Sequence, residues 1–209
     1  GWCFLADAIS YVAVLIALAM MRASELRRPP ARARGKGEVR AGLRYVRTVP
    51  ELFLPLAMMA IVGTLSFNFN VVMPLFVTRS LHGSDGMFTI VYSVISVGSL
   101  TGALLIARRP TITLPDVVHA SALFGVAMLL VAVVPNLAFA FPAGMLMGAG
   151  SIAFMTTSTA IVQTRADPQM RGRVLALQSM VFLGSTPIGG PILGVVCEAL
   201  GARAGLVVG

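Results

Sequence analysis

Residues 87–107 read MFTIVYSVISVGSLTGALLIA, a run without a single charge that is closed by Arg108, Arg109 and Pro110. About 20 apolar residues cross a hydrocarbon core of ~30 Å as an α-helix. A helix is the economical way across because it pairs its own main-chain N–H and C=O groups where no water can. Working outward, apolar runs with at most one charge occupy 2–21, 51–78, 115–134, 137–164 and 174–200, and another begins at 204–209. Pro55 and Pro74 interrupt the run at 51–78, and Pro135 with Asn136 makes the turn between two others. No stretch shows the ten-residue alternation of a barrel strand. The fold class read from this pattern is all-α, a polytopic membrane helical bundle.

Composition supports the same reading. The chain of 209 residues is 57% hydrophobic and 11% charged, against roughly 25% charged residues in an ordinary soluble domain. A soluble globule of this size exposes too much surface to hide so many apolar side chains. The net charge of +8 raises nucleic acid as a partner, but the distribution of the charge argues against it. Nine of the 16 Lys and Arg fall between Arg22 and Arg47. A basic loop between apolar spans reads as cytoplasmic, with anionic lipid headgroups as its partner and no nucleic acid. That assignment puts Arg108, Arg109, Arg165, Arg171 and Arg173 on the same side and leaves only Arg79 and Arg203 opposite. Within the loop, Val39, Leu43 and Val46 recur at i, i+4 and i+7 beside Arg40, Arg44 and Arg47, a short amphipathic pattern suited to a membrane surface.

Charged and polar residues inside spans mark functional sites. Asp7 is the deepest acid: it is either a proton carrier or an interfacial carboxylate, and Glu198 lies near the same face. Asp116 and His119 share a helix face, but two ligands do not make a metal site, and Asp116 also suits a helix N-terminus. Neither a metal nor a cofactor is expected. In SFNFNVVMP, Asn68 and Asn70 lie about 200° apart on an ideal helix, so both can meet one neighbour only if the helix bends. Buried amides need partners, which makes these two either interhelical hydrogen-bonders or the lining of a polar cavity. Thr156, Thr157, Ser158, Thr159 and Gln163 form a second such patch. Gly98 with Gly102, and Gly144 with Gly148, have the spacing that lets helix backbones approach. In GSTPIGGPILG, residues Gly184, Pro187, Gly189, Gly190, Pro191 and Gly194 crowd one span and suggest a hinge. Ser99 and Ser151 have no matching base and no GxxxxGK[ST] occurs, so an enzyme is not expected. Cys3 and Cys197 sit in apolar runs without CxxC spacing. The opening span lacks a charged n-region and a cleavage site, so it reads as a span and not as a signal peptide.

The segment ADPQMRGRVLALQSMVFLGSTPIGGPILG resembles the link between the tenth and eleventh helices of the major facilitator superfamily, in its enterobactin-exporter-like branch of drug and siderophore efflux permeases. GWCFLADAISYVAVLIAL followed by AGLRYVRTVPEL resembles the sixth helix, the central cytoplasmic loop and the approach to helix seven. The resemblance runs through nearly the whole chain. It implies the C-terminal half of a twelve-helix fold: residues 1–22 as the last helix of the N-terminal half, 23–50 as the central loop, and 51–209 as a bundle ending within helix twelve. The missing N-terminal half of the same transporter is then a partner. The family also implies a cytoplasmic gate at Asp167, Arg171, Gly172 and Arg173, whereas the loop after Ala107 departs from that pattern by having no acid before Asp116. Helices seven and ten would line the substrate cavity, which puts Asn68, Asn70, Thr156 and Gln163 there. The glycine-proline cluster looks like the counterpart of the motif that antiporters of the family carry in helix five. The function implied is secondary active, proton-coupled efflux of a small amphipathic molecule across the inner membrane by alternating access. A non-transporting scaffold or sensor on the same bundle is the rival reading.

Overall fold

In a bundle of apolar helices, side-chain hydrophobicity cannot choose neighbours, because the surroundings are as apolar as the interior; close backbone approach and hydrogen bonds do the choosing. The computed structural model describes residues 2–21, 37–81 and 83–209. The basic stretch from Arg22 to Lys36 and the side chain of Asn70 lie outside the described residues. The described chain is helical throughout, with no strand: α1 Trp2–Ala19, α2 Glu38–Thr48, α3 Pro50–Leu65, α4 Phe69–Leu75 with a π-helical turn at Phe76–Ser80, α5 Asp85–Ala107, α6 Leu114–Val133, α7 Leu137–Arg165, α8 Arg171–Leu200 and α9 Ala202–Val208. Residues 1–36 form one compact unit, which contains α1, and residues 37–209 form the other.

Among the described residues, α5, α6, α7 and α8 are long and apolar enough to cross a membrane. Their outward faces carry Leu104, Leu105, Leu130, Ile188 and Val195, all exposed, as lipid-facing surfaces require. α7 is the central helix of its unit. It lies against α5 through glycines: a Cβ at Gly98 would collide with the Met145 carbonyl, and one at Gly148 with the Ile95 carbonyl. Ser99 adds a hydroxyl donated to the Gly148 carbonyl at 3.2 Å. The GxxxG spacing therefore marks true backbone contacts at Gly98, Gly102 and Gly148, while Gly144 faces the Ile95 side chain.

The run at 51–78, expected as one span interrupted at Pro55 and Pro74, is interrupted elsewhere. α3 has 16 residues, ~24 Å of helix at 1.5 Å per residue, and ends before the core is crossed. The break is not at Pro55 or Pro74, which both lie inside helices, but at Ser66–Asn68. There the Asn68 side chain Nδ2 donates to the Thr64 carbonyl at 2.7 Å, taking the acceptor that its own main-chain N–H would use in a continuous helix. Asn68 then opens α4, its carbonyl accepting from the Val71 and Val72 N–H groups at 3.0 and 3.2 Å.

Two apolar clusters fill the bundle. One joins α4, α5, α6, α7, α8 and α9 around Phe76, Phe124 and Leu206, and the other joins α2, α3, α6, α7 and α8 around Val46, Phe154 and Val174. Gly201, at φ 88°, allows the single-residue turn that folds α9 back. Arg203 then reaches the end of α6, donating to the Ala132 and Val134 carbonyls, each at 2.8 Å. These are orphan C-terminal carbonyls, and a cation also suits the negative end of the helix dipole.

Two stability measurements follow. Gly148→Val should cost about 1–3 kcal/mol of stability by overpacking, read as earlier thermal unfolding in detergent, whereas Gly125→Ala, with nothing within 4 Å of its Cα face, should be neutral or slightly stabilising. Arg203→Met should lose about 1.5–3 kcal/mol, the worth of charge-assisted hydrogen bonds, and hydrogen exchange should quicken first at the α6–α7 turn.

Candidate functional site

The broken span sets the site. Thr64 and Asn68 lie against α8 where it has no side chain: a Cβ at Gly189 would collide with the Thr64 carbonyl and stand 2.5 Å from Asn68 Nδ2. The break is roofed by aromatic rings, with Phe67 at 5.3 Å from Phe124 and 5.2 Å from Phe182. Asn68 is buried, and its Oδ1 has no partner. Of the residues expected to form a hinge, Pro187 and Pro191 lie within an α8 that stays helical from Arg171 to Leu200. Gly184 and Gly194 face open space and Gly190 lies near Asn68 Oδ1. Pro187 brings no N–H to the Leu183 carbonyl, and Pro191 none to that of Pro187, so two turns of this helix are held by fewer bonds than the rest.

Toward the α2 end, α3, α7 and α8 part to form a cavity of about 340 Å³ lined by Met59, Met155, Thr159, Leu175, Gln178, Ser179, Phe182 and Leu183. None of these residues is charged. Thioethers and a phenyl ring make an adaptable apolar wall, and the polar groups are few and ordered. Thr159 donates to the Met155 carbonyl at 2.9 Å, so its oxygen is left to accept from Gln178 Nε2 at 3.1 Å. That bond fixes the orientation of the amide and leaves Gln178 Oε1 buried without a partner. An unpaired buried acceptor costs about 1–3 kcal/mol, and a donor supplied by a bound molecule, after a small side-chain shift, would recover it.

The polar patch on α7 therefore divides by face. Thr159 lines the cavity. Thr157 is buried and donates to the Ala153 carbonyl at 2.7 Å, and Ser158 is buried with its hydroxyl unpartnered. Thr156 and Gln163 are exposed and do not line this cavity, nor is Asn68 among its lining residues. Sequence reasoning passed over Gln178, Met59, Met155 and Phe182. The signal available was Gln178 itself, a lone amide in the apolar run that follows Arg173.

The turn between α7 and α8 carries Asp167, Arg171, Gly172 and Arg173. Asp167 shapes it through its carbonyl, which accepts from the Met170 and Arg171 N–H groups, both at 2.8 Å. Among the described residues no ion pair joins Asp167 to either arginine. The turn is pinned from outside instead. The Asp167 N–H donates to Tyr45 Oη at 3.0 Å, Arg173 pairs with Glu38 at 3.8 Å, and Arg165 pairs with Glu51 at 3.5 Å. Arg171 Nε is buried without a partner, and Gly172 faces open space.

In the loop after α5, Asp116 is not remote from the arginines: it pairs with Arg109 and accepts from the Thr113 N–H at 2.8 Å and the Thr113 hydroxyl at 2.7 Å. The carboxylate is thus a helix cap, which absorbs the Asp116 and His119 spacing without any ligand. Asp7 lies on α1, where its main-chain carbonyl accepts from Ser10 Oγ at 2.7 Å. Among the described residues no three His, Cys, Asp or Glu converge as a metal site requires.

No curated protein and no solved structure matches the chain. The family model described as transmembrane secretion effector matches residues 1–209, the full length of the chain, which therefore belongs to that family of major-facilitator-type membrane transport proteins.

Proposed function

We propose that the chain is the C-terminal half, with one helix of the N-terminal half, of a secondary active transporter that exports a small amphipathic molecule such as a drug or siderophore in exchange for protons. The observation that carries this reading is the cavity between α3, α7 and α8, which is apolar, uncharged and equipped with one unpaired acceptor at Gln178. Such a wall selects by burial and shape and binds a molecule that is mostly apolar with a hydrogen-bond donor. The enterobactin-exporter-like resemblance supports export, and the basic residues of 23–50 support a cytoplasmic placement of α2 and the α7–α8 turn in the inner membrane.

Alternating access on this reading opens and closes the cavity by rocking this half against the other. The α7–α8 turn with Asp167, Arg171 and Arg173 acts as the inward gate, and the buried Arg171 Nε awaits a partner from the opposing half. The weakened turns of α8 at Pro187 and Pro191 provide the flexure, with Gly184, Gly190 and Gly194 giving clearance. Asp7 is the candidate proton carrier because it is the acid furthest inside an apolar helix.

The intact transporter, reconstituted in vesicles with an imposed pH gradient, should move amphipathic substrates in a gradient-dependent manner. Gln178→Leu should raise the half-saturating concentration about 2–10-fold for substrates with a hydrogen-bond donor, the worth of one neutral hydrogen bond, and leave purely apolar ones unaffected. Absence of gradient-dependent flux across a broad panel would instead support a non-transporting scaffold.

A further inference from the structure

α2 differs from every other helix of its unit. It is short and charged, and it lies at 114° to α3, joined to it through the single residue Val49. A helix at that angle to an apolar neighbour lies across the end of the bundle, at the depth where headgroups begin.

Its two faces have different partners. One is seated on the start of α8 and the α7–α8 turn. Val46 is fully buried, a Cβ at Gly42 would stand 3.7 Å from Arg173 Cβ, Tyr45 Oη accepts the Asp167 N–H, and Glu38 pairs with Arg173. The other carries Arg40, Arg44 and Arg47, all exposed. At i, i+4 and i+7 they fall within an arc of about 60°, opposite the seated face, and among the described residues no carboxylate forms an ion pair with them. Val39, beside this stripe, is also exposed.

We infer that α2 is a strap between the membrane surface and the α7–α8 turn: its arginine face takes the phosphates of anionic lipid headgroups, and its opposite face thereby holds the turn in the pinned arrangement. A planar array of phosphates at headgroup depth matches three guanidinium groups in one stripe. If the arginines reach that array only while α2 is seated, anionic lipid shifts the equilibrium toward the pinned turn. The bearing on transport rests on the function proposed above; the coupling of lipid charge to the turn does not.

The test places a reporter at Ala166, buried in the same apolar cluster as Val46. The full chain bearing Cys3→Ser, Cys197→Ser and Ala166→Cys is reconstituted in phosphatidylcholine vesicles with or without phosphatidylglycerol, and maleimide labelling is timed. Labelling should be about fivefold slower in the anionic vesicles, the shift one arginine supplies near such a surface, and the difference should shrink at high salt. Arg40→Gln/Arg44→Gln/Arg47→Gln should abolish the lipid dependence, and Tyr45→Phe should weaken it. Hydrogen exchange of residues 167–171 in the chain without these substitutions provides a second readout should the reporter variant fold poorly, and protection there should rise with phosphatidylglycerol. Equal rates in the two lipids, a lipid dependence that survives the triple substitution, or an effect reproduced by inorganic phosphate over neutral vesicles would each overturn the inference. Neither readout needs substrate or a gradient, so failure here is separable from failure of the transport reading.

Discussion

In hydrocarbon, a main-chain carbonyl that loses its helical partner must find another, and the 2.7 Å bond from the Asn68 amide to the Thr64 carbonyl meets that demand at the point where the first span of the larger unit breaks. The bond substitutes a side-chain donor for a main-chain one, so the helix is interrupted without leaving Thr64 unpaired. The break lets the Thr64 carbonyl settle onto Gly189, and Phe67, released from a helical position, packs on Phe124 and Phe182. α3, α6 and α8 thus share one junction. On the α2 side of it, α3, α7 and α8 diverge enough to leave the cavity.

The two ends of the unit are secured by different chemistry, and the difference has a functional sense. At the α6–α7 turn Arg203 donates to two carbonyls at 2.8 Å and rests 5.9 Å from the Phe76 ring, an arrangement built into α9 and the bundle core. At the α7–α8 turn the polar contacts are a hydrogen bond from the Asp167 N–H and ion pairs at 3.5 and 3.8 Å between partly exposed groups, beside the apolar packing of Val46, Ala166 and Val174. Exposed pairs of that length contribute ~0–1 kcal/mol each. The polar fastening is therefore stronger at the α6–α7 end than at the α7–α8 end, which fits the gate proposed for the latter.

Legibility from the sequence followed the range of the interactions. Long apolar runs with at most one charge, bounded by arginine or proline, marked α5 through α8 because length and apolarity are local properties. The glycines at Gly98, Gly102 and Gly148 were legible for the same reason, since a spacing of four puts them on one face. The break at Asn68 was only half legible. Two amides on opposite faces hinted at a bend, but its position depends on a carbonyl one turn earlier and on a glycine in a helix far along the chain. Pro55 and Pro74 were the louder signals and the wrong ones, because both lie inside helices that continue through them. The cavity was missed on α8 because Gln178 acquires meaning only opposite Thr159, and Thr156 and Gln163 were favoured over Thr159 because composition cannot tell the faces of an apolar helix apart. Asp116 was read correctly as able to cap a helix, yet its pairing with Arg109 required the loop to close.

The placement of the acids bears on the proton exchange proposed above. Glu38, Glu51, Asp116 and Asp167 all lie at helix ends or turns, Glu198 is within the last turn of α8, and none lines the cavity. Substrate and proton would then not compete for one carboxylate there, and a molecule bound by Met59, Met155, Phe182 and Gln178 would be held the same way whatever the protonation state of the carrier. Coupling would have to pass through the conformational equilibrium, with protonation elsewhere favouring one orientation of the two halves and substrate burial favouring the other. On the proposed reading a site of that kind would tolerate varied substrates, since apolar burial would set affinity, while the stoichiometry of exchange would be set by the alternation itself. Breadth of substrate and strictness of coupling can therefore coexist in the same bundle.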